Sequence, residues 1–114
     1  MKGEYWFNSE PISKHIDIFF EYDKYQFVNN VVHLYSIEEL KVIASNIKER
    51  LQNKRPYSFV KEYASISLNF GLCEICYELP GHSYTCYIEG EDFTEIIESY
   101  VYIYEHFEDR FKRL

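Results

Sequence analysis

Between Tyr63 and Glu89 polar and apolar residues alternate with a period of two, and the run is broken at Phe70-Gly71 and Pro80-Gly81, each able to centre a tight turn. Turns at those two points leave one strand register. Leu68 then faces Cys73, Ile66 faces Ile75 and Ala64 faces Tyr77; across the second turn Tyr77 faces Tyr84, Ile75 faces Cys86 and Cys73 faces Ile88. Every residue in these rows is apolar or aromatic. The opposite face carries Ser65, Ser67, Glu74, Glu78 and Thr85, so a slip of one residue drives that polar set into the core. The expectation is a three-stranded antiparallel meander with one wet face.

A sheet that is apolar on one side needs a cover, and two amphipathic segments supply it. Ser36-Ile37-Glu38-Glu39 is a capping box, with Tyr35 placed to staple onto Leu40. Leu40, Ile43, Ala44, Ile47 and Leu51 form one stripe, Lys41, Lys48, Glu49 and Gln52 face water, and Asn53 and Pro56 end the helix. Asp92 opens a second helix with Glu95 as its reciprocal cap and Glu91 beside it, while Lys112 and Arg113 suit the far end. Its stripe is Phe93, Ile96, Ile97, Tyr100, Tyr104, Phe107 and Phe111. From His15 to Tyr35 the chain is rich in Ile, Val, Phe and Tyr and alternates at Ile16, Ile18 and Phe20, which reads as two strands turning at Asp23-Lys24 or at Asn29-Asn30. The expected fold is a single α+β domain over residues 1–114: an antiparallel sheet of about five strands with two helices packed on it, in the order ββαβββα.

With 114 residues there is room for one core, and 12 Tyr and 9 Phe let it form without metal or disulfides. The formal charge of -7 repels phosphate backbones and anionic lipid, so direct nucleic-acid and membrane partners are not expected, whereas a basic protein suits a surface of this sign. Met1 to Glu10 lacks the apolar centre of a secretory signal, and no segment approaches the roughly 20 apolar residues of a membrane span. Three cysteines cannot all pair within one chain, which fits a reducing compartment; a cytoplasmic location is expected.

Cys73, Cys76, His82 and Cys86 spell C-x2-C-x5-H-x3-C, close to a retroviral-type zinc knuckle with its histidine displaced by one. Such a site needs a turn that converges the first two thiolates, yet Glu74-Ile75 reads as mid-strand, where residues three apart point to opposite faces. Buried or half-buried free thiols are the plainer description. The same C-x-x-C lacks the helix N-terminus that redox motifs use to activate a thiol. His15, His33, His82 and His106 fall on separate elements and read as ordinary surface histidines; a cleft joining His15 or His33 to a carboxylate would reopen an enzyme or ligand-binding reading. The four glycines form no phosphate loop. No catalytic residue, metal or cofactor is therefore expected.

The face of the second helix opposite its core stripe is more informative. Glu95, Glu98, Tyr102, Glu105 and Asp109 recur at helical spacing, a row of acids with no lysine or arginine interleaved and an aromatic at its centre. Like charges so placed repel one another, and a cationic partner surface would offset that repulsion with Tyr102 as anchor.

In length, charge, aromatic content and layout the chain resembles the immunity proteins of bacterial contact-dependent inhibition and polymorphic toxin systems. That resemblance is one of type and carries no motif. It implies a non-enzymatic protein that neutralises a cognate toxin, often a nuclease with a basic cleft, by covering its active site. Small phage-type inhibitors and ligand-binding domains share the profile, and a zinc module on Cys73, Cys76, His82 and Cys86 is the alternative from another class.

Overall fold

A computed structural model describes residues 4–10 and 15–112, with side chains followed to His106. Four strands form one antiparallel sheet in the order β3-β4-β5-β6: β3 Tyr57–Lys61, β4 Ala64–Asn69, β5 Leu72–Leu79 and β6 His82–Glu89. All six expected facing pairs are present. Phe70 and Gly71 both adopt positive φ, 52° and 81°, the left-handed pair that a two-residue hairpin turn requires. Phe70 accepts this at a fully exposed tip. Gly81 has φ 85°, where a Cβ would be strained even though nothing lies within 4 Å of it.

The expected meander gains a fourth strand. β3 lays Tyr57 opposite Leu68 and Phe59 opposite Ile66, so its two aromatics extend the apolar rows. The signal is weak because the strand is only five residues long and its turn at Glu62-Tyr63 contains no glycine.

Beneath the apolar face lie two helices. One, Ile37–Asn53, starts with the anticipated box: the Glu39 amide donates to Ser36 Oγ at 3.1 Å and the Ser36 amide donates to Glu39 Oε1 at 2.9 Å. The Ser36 amide and the Lys61 ammonium hold the Glu39 carboxyl below the usual carboxylate range. The helix ends where Lys54 turns left-handed, with φ 54°.

The other runs over Gly90–Lys112, two residues earlier than the Asp92 start expected. The strand β6 passes into it without a loop. Gly90 permits the close approach, since a Cβ there would sit 3.1 Å from Leu68 Cδ1 and 3.2 Å from both the Gly71 carbonyl and Leu51 Cδ2. Its amide donates to the Gly71 carbonyl at 2.8 Å, tying the helix start to the β4–β5 turn. Phe93, Ile96 and Ile97 are fully buried with Ile43, Ile47, Ile66 and Ile75, and Tyr100 is buried beside them. The side chains of Phe107 and Phe111, expected in the same stripe, lie outside the described residues.

The N-terminal third departs from expectation. One strand, not two, falls within His15–Tyr35: β2 His15–Phe20 pairs antiparallel with β1 Tyr5–Glu10 as a separate two-stranded sheet. A 3-10 turn at Asp23–Tyr25 follows, and Phe27–Val32, read as strand, is the short helix α1; the two helices above are accordingly α2 (Ile37–Asn53) and α3 (Gly90–Lys112). The single sheet of about five strands becomes sheets of two and four, and two helices become three.

The cause lies in side-chain spacing. Val28, Val31 and Val32 are the buried residues of α1, an i, i+3, i+4 set, whereas a strand would have buried alternate positions. On the same segment Gln26, Asn29 and His33 reach the unpaired edge of β2. Asn29 Oδ1 accepts from the Ile18 amide at 2.8 Å, Gln26 Nε2 donates to the Ile18 carbonyl at 2.9 Å, and His33 Nε2 donates to the Ile16 carbonyl at 2.8 Å. A polar helix face thus replaces the neighbouring strand and closes an edge otherwise open to another chain.

Candidate functional site

The acidic row on α3 meets a different environment from the one its own helix suggests. Glu95, Glu98, Tyr102 and Glu105 are exposed, and the Asp109 side chain lies outside the described residues. Lysines come from α2: Lys48 Nζ stands 3.0 Å from Glu98 Oε1 and Lys41 Nζ stands 3.1 Å from Glu105 Oε1. The expectation of carboxylates without basic neighbours therefore fails for Glu98 and Glu105. Helices α2 and α3 pack side by side, so the solvent-facing lysines of one border the acids of the other, a relation across elements that spacing along a single helix cannot reveal. Between the two ion pairs runs a groove of about 510 Å³ floored by Ala44, Ile97 and Val101. Tyr102, 59% exposed, stacks on His106 with ring centroids 3.9 Å apart.

On the far side of the molecule, no helix among the described residues covers the outer face of the β3–β6 sheet. Register places Ser58 and Val60 of β3, Ser65 and Ser67 of β4, Glu74, Cys76 and Glu78 of β5, and Ser83, Thr85, Tyr87 and Glu89 of β6 on this face. Among these strand positions none is lysine or arginine. Lys61, at the end of β3, points to the helix side, where its ammonium reaches Glu39 at 3.0 Å. Tyr87, 51% exposed, donates to Glu74 Oε2 at 3.2 Å, which fixes an aromatic ring and a carboxylate side by side across β5 and β6. That contact pushes the Tyr87 hydroxyl upward, since its ionisation would set two anions together. Tyr63, Glu78, Ser83 and Thr85 line a shallow depression of about 270 Å³ at the turn end.

The cysteine motif does not assemble. Cys73 and Cys86 belong to the inner rows, opposite Ile88 and Ile75, whereas Cys76 pairs with Thr85 on the outer face. Burial pushes the Cys73 thiol up to about 12, so it stays protonated, and Cys86 moves in the same direction for the same reason. All three are free thiols.

Two of the four histidines do come together. His15 opens β2 and His33 caps the C-terminus of α1; their rings stack with centroids 4.5 Å apart. Asp17, two residues along β2 and so on the same side as His15, accepts from His15 Nε2 at 3.0 Å and from Asn29 Nδ2 at 3.3 Å. Among the described residues this is the only group of three or more His, Cys, Asp or Glu side chains whose donor atoms all lie within 4.8 Å of one another. The sequence shows its H-x-D half as alternate residues of a strand. His33 joins only because the segment before it is helical.

Protein-family models, curated proteins and solved structures yield no match to this chain. Among the described residues no helix is long and apolar enough to cross a membrane.

Proposed function

We propose that the chain is a non-enzymatic inhibitor of the immunity-protein type, which binds a cationic surface of a partner toxin through the outer face of the β3–β6 sheet. One observation carries the reading: Glu74, Glu78 and Glu89 share a face on which no strand residue is basic. Carboxylates outside the ion pairs of the described residues project a field that draws in a positive surface, while Glu105 and Glu98 of α3 spend theirs on Lys41 and Lys48. Tyr87 and Tyr63 add rigid, half-exposed rings of the kind that anchor protein interfaces. A basic nuclease cleft has the complementary chemistry.

Capture of a basic protein from native lysate on the immobilised chain, followed by stopped-flow association, tests it. The double variant Glu74→Lys, Glu78→Lys is expected to slow association about tenfold or more at low salt, with the difference shrinking as salt rises. An unchanged association rate in a variant with wild-type circular dichroism would remove this face from the interface. A captured partner whose activity continues undiminished in the complex would refute inhibition.

A further inference from the structure

We infer that His15, Asp17 and His33 form a binding site for a divalent transition-metal ion of the zinc class, held between the start of β2 and the end of α1. The proposal is independent of the inhibitor reading, since the cluster lies on the hairpin and α1, away from the outer sheet face.

The donor set selects the ion. Two imidazole nitrogens and one carboxylate oxygen suit zinc, cobalt and nickel, whereas calcium and magnesium demand mostly oxygen ligands. The three donor atoms lie within 4.8 Å of one another. Zinc bonds to nitrogen and carboxylate oxygen are about 2.0–2.2 Å, so two ligands on one tetrahedral ion stand roughly 3.4 Å apart. His15 Nε2 and Asp17 Oδ1 are already 3.0 Å apart, and the ion would take the place of the proton they share. His33 donates its Nε2 proton to the Ile16 carbonyl, which leaves the Nδ1 lone pair free as ligand.

The supporting contacts are those that metal sites use. A ligating histidine commonly gives its other N–H to a backbone carbonyl, which fixes the tautomer and the ring, and His33 does so here. Asn29 steadies the Asp17 carboxylate at 3.3 Å while its own oxygen is held by the Ile18 amide at 2.8 Å. Tyr100, buried on α3, meets the His33 ring edge-on at 6.2 Å. Two of the three ligands thus sit in fixed positions. The exposed His15 has the freedom to supply the remaining adjustment. Three protein ligands leave one position of a tetrahedral ion for water or for a side chain of another molecule.

Untagged protein stripped with chelator and titrated with ZnCl₂ by calorimetry is the test, with CoCl₂ as a spectroscopic probe. The expected result is one ion per chain and visible d–d bands without thiolate charge transfer. His15→Ala and Asp17→Asn are each expected to weaken zinc binding at least about tenfold, as ligand-shell losses do. Both positions are partly or fully exposed, so the fold survives these changes. The control Cys76→Ser, Cys86→Ser is expected to bind zinc as the unaltered chain does. Binding that persists in His15→Ala and Asp17→Asn, binding that is lost in the cysteine control, or no binding of either metal would each overturn the site.

Discussion

The two sheets of this protein satisfy their backbones by different means. In the β3–β6 sheet, strand meets strand along every internal edge, and α2 and α3 seal one face with fully buried isoleucines and phenylalanine. In the β1–β2 hairpin the described residues form only one ladder, and the outer edge of β2 is completed by the side chains of Gln26, Asn29 and His33. Backbone ladders and buried area are spread over many residues. Three side chains are a concentrated device, in which one truncation leaves a strand amide or carbonyl without a partner. The hairpin and α1 are thus expected to open locally at lower free energy than the larger sheet.

The hardest test of that contrast is Ile75→Ala, at the centre of β5 and fully buried. A loss of about 2–5 kcal/mol in urea unfolding is expected from the removed methylenes and the cavity they leave. Amide exchange is expected to quicken across β4, β5 and β6 together. Asn29→Ala comes next, with an expected loss of about 1–3 kcal/mol because the Ile18 amide is stranded. Hydrogen exchange monitored by NMR decides where that loss falls: faster exchange confined to β1, β2 and α1 sharpens the contrast, whereas a uniform acceleration through β4 and β5 breaks it. Smallest is Lys48→Ala, which removes the ion pair with Glu98 from between two half-exposed side chains. A change in unfolding free energy within about 0.5 kcal/mol is expected, and a larger loss would mean that the α2–α3 groove stabilises the fold more than water-screened charges can.

The same contrast explains what could be read in advance. The register of β4, β5 and β6 was legible because two turns and a period of two leave one alignment in which the apolar rows coincide, and the capping box of α2 was legible because its partners lie three residues apart. The segment Phe27–Val32 was not, since a run of valine and asparagine suits strand by composition and becomes helical only through what Gln26, Asn29 and His33 can reach on β2. Surface chemistry followed the same rule. Glu98 and Glu105 look uncompensated along α3, and their lysines come from α2, 50 and 64 residues earlier in the chain. His15 and His33 meet across an element that the residues between them appeared to make a strand. The outer sheet face, by contrast, follows directly from the register, so its acids could be placed as soon as the turns were.

The direct passage of β6 into α3 at Gly90 has a mechanical consequence. A connection with no spare residues is a weld: the helix cannot pivot on its strand without tearing the Gly90–Gly71 tether or forcing backbone through Leu68. Any force that a docked molecule exerts on Tyr87 or Glu89 therefore passes into the first turns of α3 as rigid displacement, with no loop to absorb it.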